Sequence, residues 1–308
     1  MGAPGIAIEP FADDGLKSAV ERSGARLVDP SEAEGLVWTN PIDPEGLKDA
    51  LASSPVRWVQ LPFAGIESFV EAGAIDPGLT WTCAKGTYGP SCAEHAVALM
   101  LAAARQLHHH IRNRRWEAGG LGRPEVRLKD KTIVVLGTGG IGAALVPMVT
   151  PLGARVIGVN RSGRALPGAE ETVTAERLEK VAARADYLVV AAAVTPETRG
   201  IVNAGVLRAL PSHAWVINVA RGILIDSSAL LDALRDGWIG GAALDVTEPE
   251  PLPDGHPLWA LDNVIITPHV ANTWDMALPE LTDLVARNVA NFVSGRELEG
   301  LVDTQAGY

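Results

Sequence analysis

The chain has 308 residues, with 26 Lys and Arg against 37 Asp and Glu, giving a formal net charge of −11 at pH 7. Hydrophobic residues make up 47% and charged residues 20%, a globular composition in a chain too long for one core, so two domains are predicted. The acidic balance excludes a general nucleic-acid binder, which needs an electropositive face, but says nothing against one local basic pocket.

The first residues carry no basic segment and no long apolar stretch, so they do not read as a signal peptide. Ile6 stands where a myristoylation signal wants Ser or Thr. No run approaches the ~18–20 apolar residues of a membrane span; even residues 96–104 give way to Arg105 and a cluster of His and Arg. Cys83 and Cys92 cannot build a zinc cage or a disulfide framework and read as reduced thiols of a cytoplasmic protein.

Taken in order, β-rich runs occur at residues 5–8, 57–60 and 79–82. Residues 92–116 lack Pro and Gly and space their apolar residues helically, which predicts one long helix. A Gly-rich loop at 119–125 precedes a strand at 132–136 that opens a new unit. Further strands are predicted at 155–159, 187–190, 215–218, 240–244 and 263–266, with amphipathic stretches such as 176–184 and 227–235 between them. A second long amphipathic stretch, 276–293, follows. This alternation predicts α/β architecture with parallel sheets. There is no internal repeat. The simplest organisation is a central cofactor-type domain, residues 99–275, flanked by a smaller domain built from residues 1–98 and 276–308.

The strand at 132–136 runs into Gly137-Thr138-Gly139-Gly140-Ile141-Gly142, a G-x-G-x-x-G loop, with a helix-like stretch at 141–149 after it. The first glycine permits a tight turn, the second lets backbone approach a pyrophosphate, and the third lets helix pack on strand. Pro147 should kink or shorten that helix. The next strand would end in an acidic residue if it held the ribose of NAD. It ends instead in Asn160-Arg161-Ser162, with Arg164 beyond. Arg161 would attract a 2′-phosphate and Ser162 could donate to it, so NADP is favoured over NAD. The competing reading keeps NAD and leaves Arg161 and Arg164 as solvated cations.

Three later strands end in reactive residue types. Asn218-Val219-Ala220-Arg221-Gly222 follows one, Asp245 and then Glu250 follow the next, and Thr267-Pro268-His269 follows the third. Ligands bind at strand C-termini in open α/β sheets, so Arg, Glu and His are expected to converge there.

These segments resemble the D-isomer-specific 2-hydroxyacid dehydrogenase family, which includes glyoxylate/hydroxypyruvate reductases and phosphoglycerate dehydrogenases. The resemblance rests on Ala93-Glu94-His95, the glycine loop, Val194-Thr195-Pro196-Glu197-Thr198-Arg199-Gly200, Asn218 to Gly222, Asp245-Val246 with Glu250-Pro251, and Thr267-Pro268-His269. It covers the chain from about Ala84 onward and is weak before that, mainly at Ala64-Gly65-Ile66. It implies a Rossmann-type doubly wound parallel sheet inserted into a smaller flavodoxin-like α/β substrate domain. It also implies NAD(P)H-dependent interconversion of a 2-oxo acid and a D-2-hydroxy acid.

In that resemblance His269 is the general acid, Glu250 orients its ring, and Arg221 clamps the substrate, with Ala64 and Gly65 gripping the far side of its carboxylate. Glu248 competes with Glu250 from the same Pro-rich loop. Thr195 and Ala220 line the cofactor. Asp245 is expected to anchor its loop or contact the nicotinamide carboxamide rather than take part in proton chemistry. After His269 the chain departs from the family with Val270-Ala271-Asn272-Thr273-Trp274. Trp274 either walls the substrate pocket or packs against the interdomain helix. Lys85 and Tyr88 either reach the cleft or belong to a solvated loop.

His108, His109 and His110 point three ways around a helix, which predicts surface or interface placement and no metal site. His95 is expected to pack at a helix start, and His213 and His256 to lie on loops. A glyoxylate/hydroxypyruvate-type reductase, homodimeric, cytoplasmic and without nucleic-acid or membrane partners, is the favoured reading. A phosphoglycerate dehydrogenase is disfavoured because the chain stops soon after its last helix. A dinucleotide-sensing corepressor is disfavoured because long disordered tails are missing.

Overall fold

Strand and helix alternate along almost the whole chain. The computed structural model describes residues 2–52, 54–116 and 124–304; most of the predicted loop at 119–125 lies outside them. The first elements are β1 (Gly5–Glu9), α1 (Asp14–Arg22), β2 (Arg26–Leu27), β3 (Gly35–Trp38), α2 (Pro44–Leu51), β4 (Trp58–Gln60), α3 (Glu67–Glu71) and β5 (Thr80–Thr82). Then come α4 (Gly89–Ala104), α5 (Leu107–Asn113), β6 (Thr132–Leu136), α6 (Gly140–Val149), β7 (Arg155–Asn160), β8 (Glu171–Thr174), α7 (Leu178–Ala182) and β9 (Tyr187–Val190). The chain continues through α8 (Ala204–Ala209), β10 (Trp215–Asn218), α9 (Ser227–Arg235), β11 (Gly241–Leu244) and β12 (Val264–Ile266) to α10 (Trp274–Ser294).

Two compact units result: Met1–Tyr88 with Trp274–Tyr308, and Gly89–Thr273. The division falls before α4 rather than at residue 98, because α4 is a continuous helix packed along α6. Among the described residues no helix is long and apolar enough to cross a membrane.

The first unit holds a parallel sheet of order β2-β1-β3-β4-β5, the flavodoxin-like order. Short polar caps start its first two helices: the Asp13 carboxylate accepts the N–H groups of Gly15 and Leu16, and Asp43 accepts that of Gly46. One face of α10 buries Leu281, Val285 and Val289 against Ile6, Leu16 and Val20. A buried polar chain also ties α10 to the sheet. Asn288 Nδ2 donates to Gln60 Oε1 at 2.8 Å and to Glu299 O at 3.0 Å, while Asn288 Oδ1 accepts from Glu299 N at 2.7 Å. Thr82 joins Gln60 at 2.8 Å and accepts from Trp58 Nε1 at 2.8 Å.

The second unit is a seven-stranded sheet of order β12-β11-β10-β9-β6-β7-β8, all parallel. The strand order reverses direction at β6, as in a doubly wound dinucleotide-binding fold. Successive strand residues feed opposite cores: Val134, Leu188 and Val216 pack on one face, and Ile133, Val135, Val189 and Ile217 on the other. Asn218 is level with Leu244, and Leu244 with Ile266, so β10, β11 and β12 end on one edge.

Some elements differ from expectation. The predicted helix 92–116 is two helices, because Gln106 adopts a left-handed conformation (φ 53°) and its carbonyl takes the N–H groups of His109 and His110. It also starts earlier, since Gly89 and Pro90 are compatible with a first turn. α6 ends two residues after Pro147 and passes into a 3-10 turn, the shortening that proline implies.

Asn288→Leu should remove the partners of Gln60 and of the Glu299 backbone while keeping the volume. A loss of about 2–3 kcal/mol in urea unfolding is expected; a change below about 0.5 kcal/mol would show that the buried chain is dispensable.

Candidate active site

The glycine loop connects β6 to α6. Gly137 has φ +101°, and a Cβ there would lie 2.4 Å from Ala191 O, so only glycine fits. A Cβ on Gly142 would lie 2.3 Å from Gly137 O, which is why helix and strand can sit so close. Gly139 differs: nothing stands within 4 Å of its missing Cβ. The loop is therefore tight on its protein side and open on the other, where the first N–H groups of α6 also point. Gly140 and Ile141 begin that helix.

Asn160, at the end of β7, bridges two loops. Its Nδ2 donates to Thr138 Oγ1 and to Arg164 O, both at 2.8 Å, and its Oδ1 accepts from Ser162 N at 3.1 Å. Arg161 and Ser162 are exposed on the turn that Asn160 shapes. After β9, Thr195 N donates to Thr198 Oγ1 at 2.7 Å and Thr195 Oγ1 to Glu197 Oε2 at 2.7 Å, fixing that loop.

Arg221 follows β10. Buried Asn218 folds its amide back over the turn, accepting from Ala220 N at 3.0 Å and donating to Arg221 O at 2.9 Å. Arg221 Nη1 donates to Ala220 O at 2.8 Å, and its side chain is half-buried. Gly222 comes so close to the next loop that a Cβ would lie 2.0 Å from Thr247 O.

That next loop carries Glu250. Its Oε1 accepts from His269 Nδ1 at 2.6 Å, and its Oε2 accepts from Thr247 N at 3.4 Å. Of the two glutamates in the loop, Glu250 is the one bonded to His269. The carboxylate thus holds the ring with Nδ1 inward, leaving Nε2 as the free face of the imidazole.

His269 itself sits at φ +54°, uncommon for a side chain with a Cβ. Asp245 explains how. Its backbone carbonyl accepts His269 N at 2.8 Å, its Oδ1 accepts Val270 N at 2.9 Å, and its Oδ2 accepts Ala271 N at 2.9 Å. Oδ1 also takes the Thr267 hydroxyl at 2.6 Å and faces His95 Nε2 at 3.3 Å. Burial opposes ionisation of this carboxyl, but the His95, Thr267, Val270 and Ala271 donors outweigh it and lower the pKa from 3.8 to about 2. Of its expected roles, the anchoring one is what these bonds describe; the side chain is wholly buried and turned into the loop.

Ala64 and Gly65 lie in the other unit, on the loop between β4 and α3. Tyr88 is buried, not solvated: its hydroxyl donates to Pro62 O at 2.6 Å and its ring packs on Phe63. Lys85 is exposed, and Trp274 packs against Phe63 with ring centroids 6.1 Å apart. His213 pairs with Asp186 and His256 caps a short turn. His108 corrects the surface expectation: it is buried edge-on to Trp215, with centroids 5.5 Å apart. Among the described residues no group of His, Cys, Asp and Glu could hold a metal.

Two residues of this neighbourhood escaped sequence reasoning. The sequence predicts His95 at a helix start for packing, but its ring joins Asp245 and Thr267. Asn272, three residues past His269, has both amide atoms buried without a hydrogen-bond partner. Its polar type directly after Val270 and Ala271 is the available signal.

The model of the D-isomer specific 2-hydroxyacid dehydrogenase NAD binding domain matches residues 97–271. The chain belongs to the D-isomer-specific 2-hydroxyacid dehydrogenase family, so it is an NAD(P)-dependent oxidoreductase acting on a CH–OH group. It is 34% identical over 240 residues to a glyoxylate reductase of Thermofilum pendens, covering 74% of this chain and 69% of that protein. A D-isomer specific 2-hydroxyacid dehydrogenase of Xanthobacter autotrophicus, solved with NADPH and MES, superposes with a TM-score of 0.85 at 29% identity over 100% of both chains. An NADPH-dependent glyoxylate/hydroxypyruvate reductase of Sinorhizobium meliloti, solved with NADP and sulfate, gives 0.81 at 27% identity, covering 99% of this chain and 100% of that one.

A carboxyl whose pKa is lowered on folding stabilises above its unfolded value and stops doing so as pH falls through its folded value. Asp245→Asn should therefore cost about 2 kcal/mol at pH 7. In urea melts the gap from wild type should close between about pH 4 and about pH 2. A constant gap across that range would count against the ionised anchor.

Proposed function

We propose that this enzyme is an NADPH-preferring reductase of small 2-oxo acids, of the glyoxylate/hydroxypyruvate type. The observation that carries the reading is the 2.6 Å contact between His269 Nδ1 and Glu250 Oε1, with Arg221 on the neighbouring strand end. The relatives named glyoxylate reductase support the substrate class. The residues at the glycine loop fit a dinucleotide, because Gly139 leaves open space beside the N-terminus of α6. Gly137 to Gly142, Asn160, Arg161, Ser162, Thr195 and Ala220 would hold it.

The bound dinucleotide supplies a hydride to the carbonyl carbon. Each protein group then has one task. Glu250 accepts Nδ1–H, stabilises the imidazolium and keeps Nε2 directed outward. His269 delivers the Nε2 proton to the carbonyl oxygen as negative charge develops there. The Arg221 guanidinium is a planar fork suited to a carboxylate and the adjacent carbonyl oxygen. Asn218 and Gly222 set where that fork starts.

NADPH is preferred because no carboxylate ends β7. Asn160 instead orders a turn presenting the Arg161 cation and the Ser162 hydroxyl, the groups a 2′-phosphate would meet. Exposed Leu101, Leu107 and Ile111 along α4 and α5 are the surface a homodimer would cover.

NADPH oxidation followed by absorbance against a panel of 2-oxo acids should give turnover with glyoxylate or hydroxypyruvate. Inactivity toward the whole panel, together with tight dinucleotide binding, would favour a sensing role instead. Substituting NADH should lower kcat/KM; a tenfold preference for NADH would reverse the cofactor assignment. His269→Ala should lose at least ~10²-fold in kcat, and an unchanged rate would remove it from the mechanism. Arg221→Lys should act mainly on KM, because an ammonium cannot form the fork.

A further inference from the structure

His95 lies six residues into α4, partly buried, and its ring meets the turn that carries His269. Nε2 is 3.0 Å from Thr267 Oγ1 and 3.3 Å from Asp245 Oδ1. The Thr267 hydroxyl has one hydrogen, and the 2.6 Å contact to Asp245 Oδ1 uses it. Thr267 Oγ1 is then an acceptor toward His95, and an ionised carboxylate can only accept. Nε2 must therefore carry a hydrogen shared between the two, whatever the state of Nδ1.

The start of the same helix touches a different part of the unit. A Cβ on Gly89 would lie 2.5 Å from Gly140 O, and α4 packs along α6. One helix thus abuts the glycine loop at its first residue and the His269 turn about a turn and a half further on.

We propose that His95 is a positioning residue: by donating Nε2–H to Asp245 and Thr267 it fixes the turn that holds His269 left-handed, and through α4 it ties that turn to the glycine loop. The kinetic consequence rests on the function proposed above; the structural one does not. Without this donor Asp245 Oδ1 keeps only two of its three partners, and the Thr267 hydroxyl loses the neighbour that restricts its rotation. The His269 ring then varies in position relative to Glu250. Small misplacements of a reacting group weigh on kcat more than on binding.

Gln at position 95 offers an amide N–H at about the reach of imidazole Nε2, whereas Asn keeps polarity but falls short. His95→Leu and His95→Asn should lower kcat at least ~10-fold, with KM for the 2-oxo acid and Kd for NADPH within about threefold of wild type. His95→Gln should stay within about threefold in kcat. Combining His95→Leu with Asp245→Asn should be little worse than Asp245→Asn alone, because both act through one carboxylate. A kcat for His95→Asn within about twofold of wild type, or His95→Gln as slow as His95→Asn, would overturn the proposal.

Nitrogen NMR of histidine-labelled protein reads the same link without turnover. The His269 ring signals, assigned by their loss in His269→Gln, should shift in His95→Asn and return in His95→Gln. Unshifted signals in His95→Asn would overturn the role of His95. A wild-type protein that reduces no 2-oxo acid would instead sink the functional reading, leaving the NMR comparison to decide the structural one.

Discussion

A buried carboxylate has to be met by donors or it does not stay ionised. In this fold Asp245 meets that demand with the chain segment that carries His269. Three consecutive N–H groups, of His269, Val270 and Ala271, converge on the backbone and side chain of this one residue. The turn cannot open without stripping several of those bonds, and that holds His269 at a positive φ that its Cβ disfavours. Such a conformation costs on the order of 1–3 kcal/mol and persists only when its surroundings over-determine it. The rest of the site depends on this arrangement, since Glu250 can orient only a ring whose backbone is already in place.

The sheet decides which residues can take part. β10, β11 and β12 run in one parallel register, so residues just past their ends share an edge although tens of positions separate them in sequence. Beside Asp245, Glu248 and Glu250, this edge holds a cation of its own. A protein with a net charge of −11 presents Arg221 on this edge and Arg161 beyond β7, and the start of α6 adds its positive dipole end. Net charge was a poor guide to ligands for that reason: both ligands of this enzyme class are anions, and only the immediate surroundings of each decide where it binds.

Much of this was legible in the sequence where backbone chemistry and spacing coincide. The glycine loop announces itself because each glycine answers a separate steric demand, and the strand-end motifs stand out because apolar runs of three or four residues precede them. Other features were hidden. β8 buries only Val173 fully and β2 has two residues, so neither shows a readable period. The break at Gln106 depends on one residue adopting a left-handed conformation that its type does not advertise. Tyr88 and His108 look polar but are buried, because tertiary packing, not composition, decides the fate of amphipathic rings. His95 stands in a recognisable motif, yet its partners lie about 150 to 170 positions away, and no local pattern can state that.

At Gly222 the β10 loop presses on the β11 loop, with Thr247 backbone occupying the place of a side chain. Arg221 precedes that contact by one residue, and Glu250 follows Thr247 by three. The two loops therefore behave as a single casting. A mutation that enlarges position 222 pushes on backbone, which has no alternative rotamer to adopt, and the push reaches both residues together. Evolution can change what the enzyme accepts by altering side chains around this block. It cannot readily retune the arginine separately from the glutamate, so variation in specificity should accumulate at the rim while the block stays as it is.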